Sequence, residues 1–331
     1  MTSSTAFVFP GQGSQFPGMG HELFRLGPQA KALADRAEEV TGLPVIELMT
    51  RADAATLADP ELAQVLVLVW SLAALERLRQ AGWRPSAVAG HSLGEYTALV
   101  ACGSLDTDTA LSLVACRGKA MAHAARSRPG GMAAIVGLAS QEVQALCTQA
   151  STGNEIAVIA NWNSPRQLVV AGTVQGVDHV VRAATRAGAL RARRLAVGGG
   201  YHSPLMNDAH GRLAGLLATV PLGNPSIPFV SSTTGSHITD IHTYRSNLQA
   251  QVISPVRWSD TVQALGTLGA TTYIEAGPGR VLSGLGREMA RAARHLGTWE
   301  ALRHAMPADI ARGPDDGKRP VATALHRRNA T

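Results

Sequence analysis

The pentapeptide Gly90-His91-Ser92-Leu93-Gly94 has the residue types and spacing of a nucleophile elbow. A serine stands between two glycines, after the short apolar run Ala87-Val88-Ala89 and before a helix-like segment. A structural serine needs neither glycine. A serine whose hydroxyl must stand out from a tight turn needs both, because a residue without Cβ relieves the crowding of strand against helix. The helix start beneath it supplies unpaired amides and the positive end of a dipole, which favour negative charge developing beside the hydroxyl. The chemistry indicated is nucleophilic acyl transfer.

Such a hydroxyl needs a base. Among the eleven histidines, His123, His179 and His210 fall at helical surface positions, and His295, His304 and His326 lie in a weakly patterned end. Each of these six reads as an ordinary solvated side chain. His91 adjoins the serine, but neighbours across a sharp turn point apart. His202, in Gly198-Gly199-Gly200-Tyr201-His202-Ser203, lies on a loop that can return to the elbow and is the best-placed base. An oxyanion hole is the remaining need. The Leu93 amide, directly after the nucleophile, is one natural donor. The loop FPGQGSQFPG offers Gln12, with Gly11 and Gly13 allowing close backbone approach; the same glycines equally fit a turn that only ends a strand.

The elements that must hold these groups alternate between strand and helix. A strand at Thr5–Phe9 is closed by Pro10-Gly11; helical patterns follow, including 61–80, then a strand at Ser86–Ala89. After the elbow comes a helix from about Asp106 to Arg126, with Asp or Thr as its cap. The middle of the chain reads βαββαβ over roughly 70 residues, the ferredoxin-like split pattern: strands in MAAIVGL, EIAVIANWN, QLVVAGT and LRARRLAV, and helices in SQEVQALCTQA, capped by Ser140, and VQGVDHVVRAATRAGA. Gly130-Gly131 precedes this unit and Gly198-Gly199-Gly200 follows it, so it reads as a small domain inserted into a larger one. The expected division is a large α/β domain with a mainly parallel sheet over residues 1–128 and 199–296, the small subdomain over 129–198, and a partly disordered C-terminal extension over 297–331.

The 331-residue chain is 45% hydrophobic, with aromatics at only 4%, which argues against stacking platforms for nucleic-acid bases. No apolar run is long enough to span a bilayer, and the start lacks a basic-plus-apolar leader pattern, so a cytoplasmic location with no membrane partner is expected. Cys102, Cys116 and Cys147 are odd in number and lack metal-ligand spacing; buried, reduced thiols are expected, with no disulfide and no metal. The net charge of +6 suits an acidic partner. The basic residues Arg312, Lys318, Arg319, Arg327 and Arg328 read as a solvated tail.

Taken together, FVFPGQGSQFPGMG, GHSLGEYTALVACG, ACRGKAM, MAAIVGL, ANWNSPRQLVVAG, YHSPLM, QVISPVRW and IEAGPGRVLSGL run in order from about residue 5 to 290. In this combination the chain resembles the malonyl-CoA:acyl-carrier-protein transacylases and the acyltransferase domains of polyketide synthases. The resemblance implies an α/β-hydrolase-like large domain and a ferredoxin-like small subdomain. It implies Ser92 as the acylated nucleophile, His202 as its base, Gln12 and the Leu93 amide as oxyanion hole, and Gln251 as the residue whose backbone carbonyl orients the histidine. Arg117 would pair with the carboxylate of a malonyl-type group, although its helical setting alone would make it a solvated charge. Asn161 looks like part of the small-subdomain wall, where a turn role fits equally well, and Gln64 stands at a familiar place. The implied reaction moves a malonyl-type group from CoA to the phosphopantetheine thiol of an acidic acyl carrier protein, without cofactor or metal.

Tyr201 directly before His202 matches neither the Phe typical of malonyl-selective polyketide acyltransferases nor the Tyr-Ala-Ser-His of methylmalonyl types. Malonyl transfer remains the first expectation, and the departure at Tyr201 favours action in trans for polyketide biosynthesis over fatty acid biosynthesis. A substituted malonyl or larger acyl group, or acyl hydrolysis on the carrier, stands as the alternative.

Overall fold

In the computed structural model, residues 4–305 are described. Among these residues ten strands form two sheets. The larger sheet comprises β1 (Thr5–Phe9), β2 (Ala87–Gly90), β7 (Phe229–Ser231), β8 (Ser236–Ile238), β9 (Thr272–Glu275) and β10 (Arg294–Gly297), in the order β10-β9-β1-β2-β7-β8. All its pairings are parallel except the hairpin of β7 with β8. β1 is wholly buried: Phe7 and Phe9 join one apolar cluster, while Ala6 and Val8 join another on the opposite face. A strand covered on both sides has no polar face to alternate with, which is why AFVF reads as a continuous apolar run. The register sets Phe9 beside Gly90, so the loops following β1 and β2 leave the sheet together.

The smaller sheet is antiparallel, built from β3 (Gly130–Val136), β4 (Ala157–Ser164), β5 (Gln167–Thr173) and β6 (Arg191–Arg194) in the order β4-β5-β3-β6. With helices Ser140–Ala150 and Val174–Arg186 between its strands, it has the ferredoxin-like connectivity expected. Its own apolar cluster includes Val143, Cys147, Val177 and Val180. Ala139, rather than Ser140, occupies the helix N-cap, and its N–H donates to Glu142 at 2.7 Å. β4 is tied back to the large domain by Trp162 N–H to Val256 O and Val256 N–H to Ala160 O, each at 2.8 Å.

Three expectations are corrected. The boundary at 296 falls inside β10, and the helix Thr298–Ala305 follows, placing Ala301 and Leu302 in the main core; its weak patterning reflects a short element with only one buried stripe. The tail beyond 305, with its basic residues and His326, lies outside the described residues. His295 is buried, stacks on Tyr273 and bonds Ala290 O through Nε2, so it is a core histidine. Cys102 and Cys147 are buried and free, whereas Cys116 is free but exposed, because it sits one position off the buried stripe of its helix.

Two long helices frame the future site. Pro60–Gln80 is capped by Asp59, whose carboxylate accepts from Glu61 N–H, and carries Pro60 at its first position. Thr107–Ser127 is capped by Asp106, which accepts from Thr109 N–H. They cross closely at Gly118, where an added Cβ would lie 2.8 Å from Pro60 O and 3.0 Å from Glu61 Cα. That contact sets Arg117 of one helix against Gln64 of the other. Replacing Gly118 by Ala should therefore push the helices apart, lowering stability by about 1–3 kcal/mol. The denaturant midpoint should fall at unchanged slope; an unchanged midpoint would remove the packing argument.

Candidate active site

Ser92 has φ 52 and His202 has φ 59, and they are the only non-glycine residues with positive φ among those described. L-residues seldom occupy this region, and the strain persists only where the surroundings over-determine it. At the elbow they do. A Cβ on Gly90 would lie 1.9 Å from the Gly94 carbonyl carbon, and one on Gly94 would lie 2.0 Å from Phe9 O. Both glycines of the motif are needed for close approach, as the sequence pattern required. The helix Gly94–Ala101 starts directly after Leu93, which is buried.

The two strained residues meet. Ser92 Oγ lies 2.8 Å from His202 Nε2. On the far side of the ring, Nδ1 lies 3.0 Å from Gln251 O and 2.9 Å from Ser254 O. Two carbonyls can only accept, so the proton belongs on Nδ1 and Nε2 is left free to take the serine proton. The Gln251 carbonyl thus faces the ring, with the Ser254 carbonyl as a second acceptor that sequence reasoning missed. Burial, then the nearby Arg117 charge, lower the His202 pKa to about 4.

Arg117 is buried at 1% exposure, within reach of the nucleophile. Its Nη2 donates to Ser92 Oγ at 3.0 Å and to Gln251 Oε1 at 3.0 Å, and Nη1 donates to Gln64 Oε1 at 2.7 Å. No carboxylate forms an ion pair with it among the described residues. Its Nε has no hydrogen-bond partner among the described residues. Burial pulls its pKa down from the usual value, yet a guanidinium stays charged in proteins. The solvated-helix alternative for Arg117 is excluded.

These groups line a cleft with a cavity volume of about 420 Å³ between the two subdomains. Gln12, Tyr201 and Asn161 line it as well. Gln64 lies behind, donating from Nε2 to Gln12 Oε1 and Met121 Sδ, each at 3.3 Å. Burial keeps the Tyr201 phenol protonated, pushing its pKa up to about 12. His91, set aside on sequence, also faces the cleft: its Nε2 lies 3.1 Å from Asn163 Oδ1 and 3.4 Å from Asn161 Nδ2. The side chain thus joins the elbow to the small subdomain, and burial lowers its pKa. Asn161 Oδ1 is buried without a hydrogen-bond partner among the described residues.

Beneath the elbow lies Glu95, 1% exposed and also missed on sequence. Its Oε1 accepts from Ser232 N–H, Ser231 Oγ and Ser232 Oγ, and its Oε2 accepts from Gln251 Nε2. Burial raises its pKa while these donors pull it down. The signal was available: GEYTALVACG is apolar enough to be buried, and Glu95 is its only charge.

With its pKa at about 4, the His202 ring is neutral throughout the mildly acidic range. In a histidine-labelled sample its ring nitrogens should keep neutral shifts down to about pH 5, below the ordinary value of about 6.5. The unfolded chain takes the proton first as pH falls from about 6.5 to about 4, so this group's contribution to stability is lost over that window. A His202 titration centred near 6.5 would contradict the site geometry.

The acyl transferase domain family matches residues 6–302. The malonyl CoA-acyl carrier protein transacylase of Bacillus subtilis is 38% identical over 294 residues, covering 89% of this chain and 93% of the relative. Among solved structures, the Coxiella burnetii malonyl CoA-acyl carrier protein transacylase matches with TM-score 0.87 and 32% identity, covering 92% of this chain and 97% of that one. A malonyl-transacylase solved with a type II polyketide synthase acyl-carrier protein matches with TM-score 0.84 and 35% identity, covering 89% and 94% respectively. The fold, the cleft and these likenesses agree: the chain belongs to the malonyl-CoA:acyl-carrier-protein transacylases of the acyl transferase domain family.

Proposed function

We propose that the chain transfers a malonyl group through a Ser92 acyl-enzyme, with His202 as base, Arg117 as carboxylate anchor, and Gln12 and the Leu93 amide as oxyanion donors. The observation that carries this reading is the 3.0 Å separation of Arg117 Nη2 from Ser92 Oγ. In a malonyl thioester one methylene separates the carbonyl from the carboxylate, so a group anchored by its carboxylate must have the anchor beside the nucleophile. A cation there suits neither a long chain nor an uncharged one, which argues against a proofreading hydrolase. The partnerless Arg117 Nε and Asn161 Oδ1 support a polar ligand in the same cleft.

In the first half-reaction the Ser92 Oγ proton passes to His202 Nε2 as Oγ bonds to the thioester carbonyl carbon. The C–S bond then breaks and the proton leaves with the CoA thiol. Removing one oxyanion donor commonly slows such steps by roughly 10²- to 10³-fold. In the second half-reaction a phosphopantetheine thiol gives its proton to His202 and attacks the serine ester. The C–O bond breaks, and Ser92 recovers the proton. A thioester is already activated, so the sequence asks for no metal and no cofactor.

An acidic, phosphopantetheinylated carrier protein fits the net charge of +6. The exposed edge strand β6, with Arg191 and Arg193, runs into Leu195 and Val197 at the cleft. The relative solved with its carrier supports the same class of partner.

Incubation with malonyl-CoA should add one malonyl group at Ser92 on intact-mass analysis, and absence of an adduct would end this reading. Arg117→Ala should lose malonyl loading while sparing acetyl-CoA, by roughly tenfold or more for a charged bidentate contact. Equal loss of both would remove the anchor role. With carrier proteins of fatty acid and polyketide type as acceptors, faster charging of the polyketide carrier is expected; the reverse order would overturn the polyketide assignment.

A further inference from the structure

We propose that Glu95 is a positioning residue for the transfer, fixing the Gln251 amide so that a single side chain orients the nucleophile, its base and the carboxylate anchor. The inference rests on the reading above and extends it to a buried carboxylate that the mechanism itself does not use.

Gln251 touches all three working groups. Its backbone carbonyl accepts from His202 Nδ1, its Oε1 accepts from Arg117 Nη2, and its Nε2 donates to Ser92 O at 3.0 Å. An amide can be turned end for end, and the turned form would set an NH₂ against the Arg117 guanidinium. Glu95 opposes the turn together with the Ser92 carbonyl. Ser92 O can only accept, so Nε2 lies on that side and donates both there and to Glu95 Oε2, while Ser232 N–H holds Glu95 Oε1. A turned amide would set its oxygen against both acceptors; in the observed one Oε1 is left for Arg117.

A second line runs from Glu95 to the elbow. Ser92 N–H points to Ser232 Oγ at 3.4 Å, and Ser232 Oγ donates to Glu95 Oε1 at 3.2 Å. Glu95 N–H itself donates to Ser92 O at 3.0 Å. The strained serine is thus held from both its amide and its carbonyl by groups that converge on one buried side chain. Arg117 and Glu95 are also the opposite charges bridged by the Gln251 amide, so the anchor's resting charge is balanced at one remove and its Nε stays available.

Glu95→Gln keeps the shape but brings an NH₂ against either Ser232 N–H or Gln251 Nε2. Three readouts separate positioning from bulk stability: thermal unfolding, the rate of Ser92 phosphonylation by an uncharged fluorophosphonate, and the ratio of malonyl to acetyl loading from the CoA thioesters. The folded variant should lose on the order of a hundredfold in phosphonylation, the scale of a misplaced catalytic group. Its malonyl-to-acetyl ratio should fall about tenfold, the value of one charged hydrogen bond. Glu95→Asp, which keeps the acceptor-only charge, should recover part of the ratio.

A folded Glu95→Gln with the wild-type ratio and phosphonylation rate overturns the proposal. So does a loss that only follows the melting temperature while the ratio is unchanged. If Glu95→Gln does not fold, Glu95→Asp carries the test. The shortened carboxylate keeps its charge but cannot reach both Ser232 and Gln251, so the phosphonylation rate and the malonyl-to-acetyl ratio should both fall below wild type, and wild-type values of both overturn the proposal. Wild-type protein that is phosphonylated but takes no malonyl group would refute the transfer reading instead, with the phosphonylation rates still testing Glu95.

Discussion

Removing the Arg117 guanidinium from water carries a penalty of several kcal/mol, and neutral partners return only part of it. Gln64, Gln251 and Ser92 supply three acceptors, while Nε is left with none. Much of the surrounding structure can be understood as what makes that burial tolerable. Gly118 lets two long helices close to contact, which brings Gln64 within reach. The short turn Gln251–Ile253 brings in the second amide, with the buried Glu95 carboxylate behind it. In so buried a setting a charge interaction is several times stronger than at the surface, which on the proposed reading strengthens the hold of Arg117 on a carboxylate entering the cleft. An arginine serves here where a lysine would shed its proton.

The same region concentrates the backbone strain. Positive φ at a serine and at a histidine costs about 1–3 kcal/mol each. Ser92 leaves the buried strand β2, His202 enters the turn Pro204–Met206 with its buried Leu205 and Met206, and the two are joined by the 2.8 Å contact between Oγ and Nε2. Strain and hydrogen bonding point the same way, because the left-handed turn is what aims each side chain out of its own segment and towards the other. A relaxed turn at either residue would break the pair without changing any side chain.

How much of this was legible in the sequence followed from how local each signal was. The elbow was legible because its glycines and serine are contiguous and their collision distances are set by one turn. The inserted subdomain was legible because every element in it is bounded by glycine or turn residues. Arg117 was harder. Its neighbours at helical spacing, Ala110, Val114, Met121 and Ala124, are all buried, so periodicity places it on the apolar stripe, but an arginine on a stripe is ordinarily read as a long side chain escaping to solvent. Ser232, Ser254 and the role of His91 were not legible at all. Each acts through a partner 50 or more residues away, as the separations of 140, 52 and 72 positions show, and no local pattern records such a meeting. The last helix was missed for the opposite reason: Thr298–Ala305 is too short for its period to stand out from the chain around it.

The contacts of Arg117 also suggest where selection between acyl groups is made. Before acylation Nη2 donates to Ser92 Oγ, an oxygen that is a good acceptor as a hydroxyl and better still as it loses its proton. Once Oγ becomes the bridging oxygen of an ester it accepts poorly, so the reaction itself withdraws one of the guanidinium's partners. On the proposed reading a malonyl group supplies the replacement, since its carboxylate lies one methylene from the new ester. An acetyl or longer uncharged group supplies nothing and leaves a buried, charged donor short of an acceptor, at a cost of about 1–3 kcal/mol or more. Discrimination on this argument is a property of the acyl-enzyme rather than of the first encounter. A site that rejects by leaving its own buried donor unsatisfied separates substrates more sharply than one that adds a favourable contact for the right one.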